Sequence, residues 1–188
     1  MFTTFFLHRI LKSEITLGIM DLKSILETRF SARSYQSKEV EKEKLDYILE
    51  CARLSPSACN LQPWKFIIAK SVDAKQKVIE SYQRDWFSEA YCYIVVCGNH
   101  NEAWKRSDGK ISTGIDISIA ATNICLAVVE LGLATCWIGN FKVEILSKNF
   151  NLPTYIEPVA IFPIAYPKDD IVVPEKKRKS LEEIVEFV

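Results

Sequence analysis

Between two apolar stretches of this 188-residue chain lies Ser55-Pro56-Ser57-Ala58-Cys59-Asn60-Leu61-Gln62-Pro63-Trp64, a run of small polar side chains able to surround a ligand. Pro56 and Pro63 each push the preceding residue out of helical geometry, so the run is a shaped loop. Loops held between rigid elements are where binding groups concentrate. A second candidate lies upstream in Arg29-Phe30-Ser31-Ala32-Arg33-Ser34-Tyr35, which puts two guanidiniums and a hydroxyl close together. An extended chain directs alternate residues to one side, which brings Arg29, Ser31 and Arg33 together. The planar guanidinium fork binds phosphate bidentately, so the chemistry expected is capture of a phosphate-bearing ligand. Taken singly, each segment also has a plainer reading: a polar helix-to-strand connection, and a solvated basic turn.

The flanking elements must hold these segments in place. Leu45, Ile48, Leu49 and Ala52 recur at helical spacing and predict a helix ending near Arg53. Lys65-Phe66-Ile67-Ile68-Ala69 reads as a strand. Leu22, Ile25 and Leu26 mark a short helix ahead of the basic segment, and Val72 to Tyr82 has helical character. Tyr93-Ile94-Val95-Val96, between Cys92 and Cys97, reads as a core strand. Asp116 to Leu131 is apolar nearly all round and predicts a helix buried on most sides, ended by Gly132.

Cys136 to Phe141 reads as a strand leaving into a loop, where Gly139 lets backbone amides approach a flat ligand. Pro158 to Pro167 reads as another strand, and Pro163 calls for an edge or a bulge. Asn99 to Thr113 is the most polar stretch. It reads either as a loop over the substrate side with Trp104 as an aromatic contact, or as an exposed loop with one half-buried tryptophan. Lys176-Lys177-Arg178-Lys179 has the character of a solvated basic cluster. Leu181, Ile184, Val185 and Val188 suit a short amphipathic tail.

Composition narrows the function classes. The length suits one domain, expected over residues 20–188, and no repeat or linker interrupts it. Lys+Arg and Asp+Glu balance at 24 each, which argues against a general nucleic-acid surface. The six cysteines show neither C-x-x-C pairs nor metal-ligand spacing, and read as free buried thiols in a reducing, cytoplasmic compartment. With His8 and His100 the only histidines, Cys–His catalysis is not expected, and no metal site is. The six glycines form no G-x-G-x-x-G or Walker pattern, so no dedicated dinucleotide domain is expected. The apolar run in residues 1–19 is too short to span a bilayer and lacks the basic leader of a signal peptide. It is expected to be a small extension without assigned function, and no membrane partner is expected.

Three ordered segments resemble the FMN-dependent nitroreductases: the R-x-S-x-R run Arg29 to Arg33, the P-S-x-x-N-x-Q-P-W loop Pro56 to Trp64, and Leu131-Gly132-Leu133-Ala134-Thr135-Cys136-Trp137-Ile138-Gly139. The resemblance runs from about Met20 to the C-terminus. It implies an α+β, three-layer α/β/α fold with a mostly antiparallel central sheet, in a domain-intertwined homodimer with FMN at the interface. By this resemblance Arg29, Ser31, Arg33 and Arg178 hold the phosphate and ribityl end, with Lys176 the second basic choice. Pro56, Ser57, Ala58 and Asn60 contribute from the partner chain, with Gln62 nearby. Trp137, Ile138 and Gly139 lie against the flavin ring, where a main-chain N–H near N5 favours negative charge. The helix over 116–131 forms much of the interface, and the tail rests on the partner.

Phe30 departs from the family, standing where many members carry a second basic residue or a histidine. It either weakens phosphate binding or packs instead. Asn140, polar and just after Gly139, is placed to tune the pocket. The activity implied is ping-pong hydride transfer: NAD(P)H reduces the flavin and leaves, and a nitroaromatic, quinone or other small oxidant then collects the electrons. The cofactor carries the chemistry, so no catalytic acid or base is expected. Two alternatives stand beside this: reductive dehalogenation or flavin cleavage on the same scaffold, decided by the 99–113 loop, and a flavin-binding module with little turnover.

Overall fold

The computed structural model describes residues 20–188; residues 1–19, the expected extension, lie outside the described residues. Helix α1 (Leu22–Thr28) opens on Asp21, whose carboxylate accepts the Ser24 N–H at 2.8 Å and satisfies one of the unpaired amides of the first turn. Helix α2 spans Lys42–Arg53 and ends where its apolar spacing ends. Strand β1 (Trp64–Ala69) is followed by α3 (Val72–Ile79), capped by Ser71, which accepts the Ala74 N–H at 3.2 Å. Then come α4 (Asp85–Ser88), β2 (Cys92–Asn99), α5 (Thr113–Glu130), α6 (Val143–Asn149) and β3 (Ile156–Ile164).

The three strands form an antiparallel sheet in the order β1-β2-β3. Every residue of β2 is buried, because helices cover both faces of the strand. Successive side chains point to opposite faces. Cys92, Ile94 and Val96 therefore pack with Ile48 of α2 and Ile117, Ala121 and Ile124 of α5. Tyr93, Val95 and Cys97 pack instead with Val78 of α3, Phe87 of α4 and Leu146 of α6. A strand with two buried faces reads as an unbroken apolar run, as this one does. The architecture is thus the expected α+β arrangement, with helices on both faces of a three-stranded antiparallel sheet.

Helix α5 begins at Thr113, earlier than the apolar pattern predicts. Its first turn rests on Gly98 at the end of β2, where a Cβ would lie 2.3 Å from Thr113 Cγ2, so the contact depends on glycine. The helix is apolar and long enough to cross a bilayer, yet Ile117, Ala120, Ala121, Ile124 and Val128 are packed in the protein core. The expectation of burial on most sides is only partly met within one chain, since Gly114, Ile115, Ser118 and Thr122 are exposed.

Residues 136–141 do not form the expected regular strand. The segment meets β3 at one isolated antiparallel bridge, Ile138 with Ile161, and a second such bridge joins Ala134 to Ala165 just past the end of β3. The bridges share one register, which puts Cys136 opposite Pro163. Proline has no N–H to donate at that midpoint, so the ladder breaks where a fourth strand would otherwise run. The outer position expected for Pro163 holds, while the irregularity in the β2–β3 pairing falls elsewhere, between Val96 and Cys97. In the C-terminal tail Leu181, Ile184, Val185 and Val188 are all exposed, with only a turn at 181–184.

The cysteines are free, but they are not all buried: Cys59 is exposed and Cys51 half-buried. Burial pushes the thiols of Cys92, Cys97 and Cys125 up to about 12. Only about 10⁻⁴ of each is then thiolate at pH 8, and the thiolate is the reactive form. A disulfide-exchange reagent at pH 8 is expected to modify Cys59 promptly in the native apo protein, and all six cysteines only after denaturation. Fast labelling of Cys92 or Cys97 in the native protein contradicts the packing of β2.

Candidate functional site

Helix α1 ends at Thr28, and Arg29 turns into extended backbone at φ −53°, ψ 126° while its N–H still bonds the Ile25 carbonyl at 2.9 Å. Ala32 is the anchor of the segment that follows. It is buried, and its N–H bonds the Thr135 carbonyl at 3.0 Å. The buried Tyr35 hydroxyl donates to the Ala32 carbonyl at 2.7 Å. Fixing Ala32 inward turns Ser31 and Arg33 outward, as alternation demands.

Arg29, Ser31 and Arg33 do converge, on a pocket of about 310 Å³. The facing wall is a segment distant in sequence, Pro174 to Arg178, so Lys176 and Arg178 join the same pocket. Lys176 is held there by its bond to the Glu27 carbonyl at the end of α1. Arg33 lies 5.9 Å from the centre of the Trp86 ring, a cation–π placement that steadies the guanidinium. The pocket collects the cations Arg29, Arg33, Lys176, Lys177 and Arg178 against the single carboxylate of Glu175. None of these cations is ion-paired with a carboxylate among the described residues. An unneutralised cluster flanked by a serine hydroxyl suits an anionic group such as a phosphate monoester. Phe30 lines the same pocket and packs against the cluster of Ala32 and Tyr35, so of its two expected outcomes the structure shows packing.

The 134–139 segment lies beside the basic segment, whose Ala32 it holds through the Thr135 carbonyl. Burial raises the Cys136 thiol above its ordinary value, and Arg33, Ser31 and Arg29 lie close enough to oppose that shift. Beyond it, Trp137 is exposed and packs edge-on against Phe162 with ring centres 5.2 Å apart. Ile138 is buried against Ile161 by mutual backbone bonds of 3.0 Å. A Cβ on Gly139 would meet only the Trp137 indole, at 3.8 Å, so the backbone there is open to an approaching group.

The Pro56–Gln62 loop is built differently, and none of it lines the basic pocket. It is a tight polar turn in which Cys59, Asn60 and Gln62 have φ of 51°, 56° and 51°. Side chains other than glycine adopt this left-handed region at a cost, and such residues cluster at functional sites. Internal bonds hold the turn: Ser57 Oγ accepts the Gln62 N–H at 2.9 Å, and the Gln62 amide reaches the Asn60 carbonyl at 3.2 Å. A side chain from outside also reaches the turn, where the Asp116 carboxylate accepts the Ala58 N–H at 2.9 Å.

Asp116 carries no role in the sequence reading beyond opening a helix. It is nevertheless buried in the first turns of α5, and it also accepts the Ser112 hydroxyl at 2.7 Å. The signal available was a lone acidic residue at the head of an otherwise apolar helix. Next to it, residues 100–112 form a small hairpin closed by the Lys105–Ile111 bridge, with Arg106 bonding Asp108 at 2.9 Å. Trp104 is partly exposed, and its carbonyl accepts the Ser112 N–H at 2.9 Å. His100 sits at the base, bonded to Thr113 at 3.1 Å and Glu157 at 2.8 Å.

A protein of Methanothermobacter thermautotrophicus, provisionally named an NADH dehydrogenase/NAD(P)H nitroreductase, is 32% identical over 156 residues, covering 80% of each chain. The mouse iodotyrosine deiodinase 1 is 22% identical over 93% of this chain and 72% of its own length. The crystal structure of a nitroreductase family protein from Clostridium difficile 630 superposes with a TM-score of 0.83 at 35% identity, covering 89% of this chain and 98% of that one. The sequence profile of the nitroreductase family matches residues 26–107 and 77–166, which include both the basic segment and the 131–139 stretch. The chain belongs to the nitroreductase family.

Proposed function

We propose that this protein is an FMN-dependent oxidoreductase that uses NAD(P)H to reduce nitroaromatics, quinones or related small oxidants. The observation that carries the reading is the pocket that gathers Arg29, Arg33, Lys176 and Arg178 with no ion-paired carboxylate among the described residues. Arg29, Ser31, Arg33 and Arg178 hold the phosphate, with Lys176 beside them, and Phe30 forms an apolar wall. Trp137, Ile138 and Gly139 line the ring, with an exposed main chain available to donate a hydrogen bond. FMN, when bound, supplies a ring that exchanges a hydride with donor and oxidant in turn. The residues of this chain bind and orient; none is assigned the work of an acid or base.

The protein acts as a homodimer in this reading. The exposed stripe of α5 and the exposed tail at Leu181, Ile184 and Val185 meet a second copy, and Pro56, Ser57, Ala58, Asn60 and Gln62 of the partner subunit complete the site. Free thiols throughout are consistent with a reducing, cytoplasmic setting. A second reading, reductive dehalogenation on the same scaffold, draws on the likeness to the mouse deiodinase. It differs in what the 100–112 hairpin presents to the oxidant.

The test is the visible spectrum of the purified protein, followed by NADH without oxygen. A yellow protein whose flavin-like bands bleach is expected. A colourless protein that takes up no added FMN overturns the reading.

A further inference from the structure

We infer that Asp116 is the positioning residue that sets two loops of the proposed site at once. The inference rests on the flavin reading above and concerns how this chain presents its own loops. Asp116 is 1% exposed. One carboxylate oxygen accepts the Ala58 N–H and the other accepts the Ser112 hydroxyl. Ser112 in turn donates its N–H to Trp104, which closes the 100–112 hairpin. The flavin-facing turn at 56–62 and the hairpin carrying Trp104 are therefore joined through the two oxygens of one buried side chain.

The turn needs such a tie. Three of its residues sit at left-handed φ without being glycine, a conformation that persists only when surrounding contacts over-determine it. Ser57 and Gln62 close the turn on itself, and its flanks are tied by Asn123, which donates to Ser55 Oγ at 2.7 Å, and by the Asn99 N–H, which bonds the Pro63 carbonyl at 2.8 Å; the middle of the turn needs a tie of its own. Of the side-chain hydrogen bonds between the turn and the rest of the described residues, the Ala58–Asp116 bond fixes the turn's position against α5. Gly98 places α5 there by allowing Thr113 to sit on the sheet, so the chain of position runs from β2 through α5 to both loops.

Three variants separate this role from simple stability: Asp116→Ala, Asp116→Asn and Ser112→Ala. Amide exchange of Ala58 in the flavin-free protein reads the tie itself. FMN affinity and steady-state kinetics then read what the tie positions. Asp116→Ala is expected to speed Ala58 exchange, weaken FMN about tenfold, the loss of one charge-assisted bond, and raise KM for the oxidant. Asp116→Asn keeps an oxygen for Ala58 and a polar partner for Ser112, and is expected to restore exchange protection and most of the FMN affinity. Ser112→Ala frees only the hairpin, and is expected to raise KM for the oxidant while leaving FMN affinity and Ala58 protection as they are.

Unchanged Ala58 exchange in folded Asp116→Ala overturns the tie. Faster exchange with FMN affinity and KM both unchanged overturns the positioning role. If Asp116→Ala fails to fold, Ser112→Ala with an unchanged KM and Asp116→Asn with no restored protection overturn it. A wild-type protein that binds no FMN removes the flavin reading itself, an outcome visible before any variant is made.

Discussion

Alanine at both Arg29 and Arg33 is expected to abolish the proposed FMN binding without unfolding the protein. In the proposed site each guanidinium supplies charge-assisted contacts to the phosphate, and a hydrogen bond to a charged group contributes about 1.5–3 kcal/mol. Losing two such contacts weakens FMN by about 10²- to 10⁴-fold. Stability is expected to change by no more than about 1 kcal/mol, because Arg29 is half-buried, Arg33 is exposed, and the contact with Trp86 is a single cation–π pair. The measurements are flavin content after gel filtration, FMN titration of the stripped protein, and the melting temperature. Full flavin retention in the double variant shows that the phosphate site lies elsewhere. A single Arg178→Ala change is the natural companion, since it attacks the same pocket from the opposite wall.

Gly98→Ala carries the largest effect on the fold. The added Cβ would stand 2.3 Å from Thr113 Cγ2 and 3.2 Å from Ile117 Cγ1. Both neighbours are buried on α5, and Thr113 is β-branched and stiff, so neither swings aside cheaply. Overpacking of this kind costs about 1–3 kcal/mol, or roughly 5–10 °C in Tm for a chain of this size at the upper end. Relief comes by lifting the first turns of α5 from the sheet, which moves Asp116 and with it the Ala58 contact. Gly98→Ala should therefore lower thermal stability and FMN affinity together, whereas the arginine changes lower affinity alone. A fully stable Gly98→Ala protein contradicts the packing of α5 on β2.

These two outcomes separate the layers of the molecule. In the proposed site the arginines act on the ligand directly, through charge that no carboxylate among the described residues neutralises. Gly98 acts at a distance, through the space a missing side chain leaves between a strand and a helix. Asp116 lies between them, linking the helix that Gly98 admits to the loop that completes the proposed site.

The amino-acid sequence by itself determined the elements whose cause is local. Apolar spacing sets α2 to its last residue, and the unbroken run of β2 announces a strand covered on both sides. It also determined the chemistry of the basic segment, because alternation in an extended chain is enough to group Arg29, Ser31 and Arg33. The tertiary structure alone decided what depends on partners distant along the chain. The place of Arg178 and Lys176 beside Arg29 is already implied by the family resemblance, but that Asp116 reaches Ala58 and that Cys136 falls opposite Pro163 are facts of packing and register. The last of these turned an expected strand into two isolated bridges. Periodicity reports which face of an element is buried; it holds no information about which backbone group will lie across from a proline with no hydrogen to give.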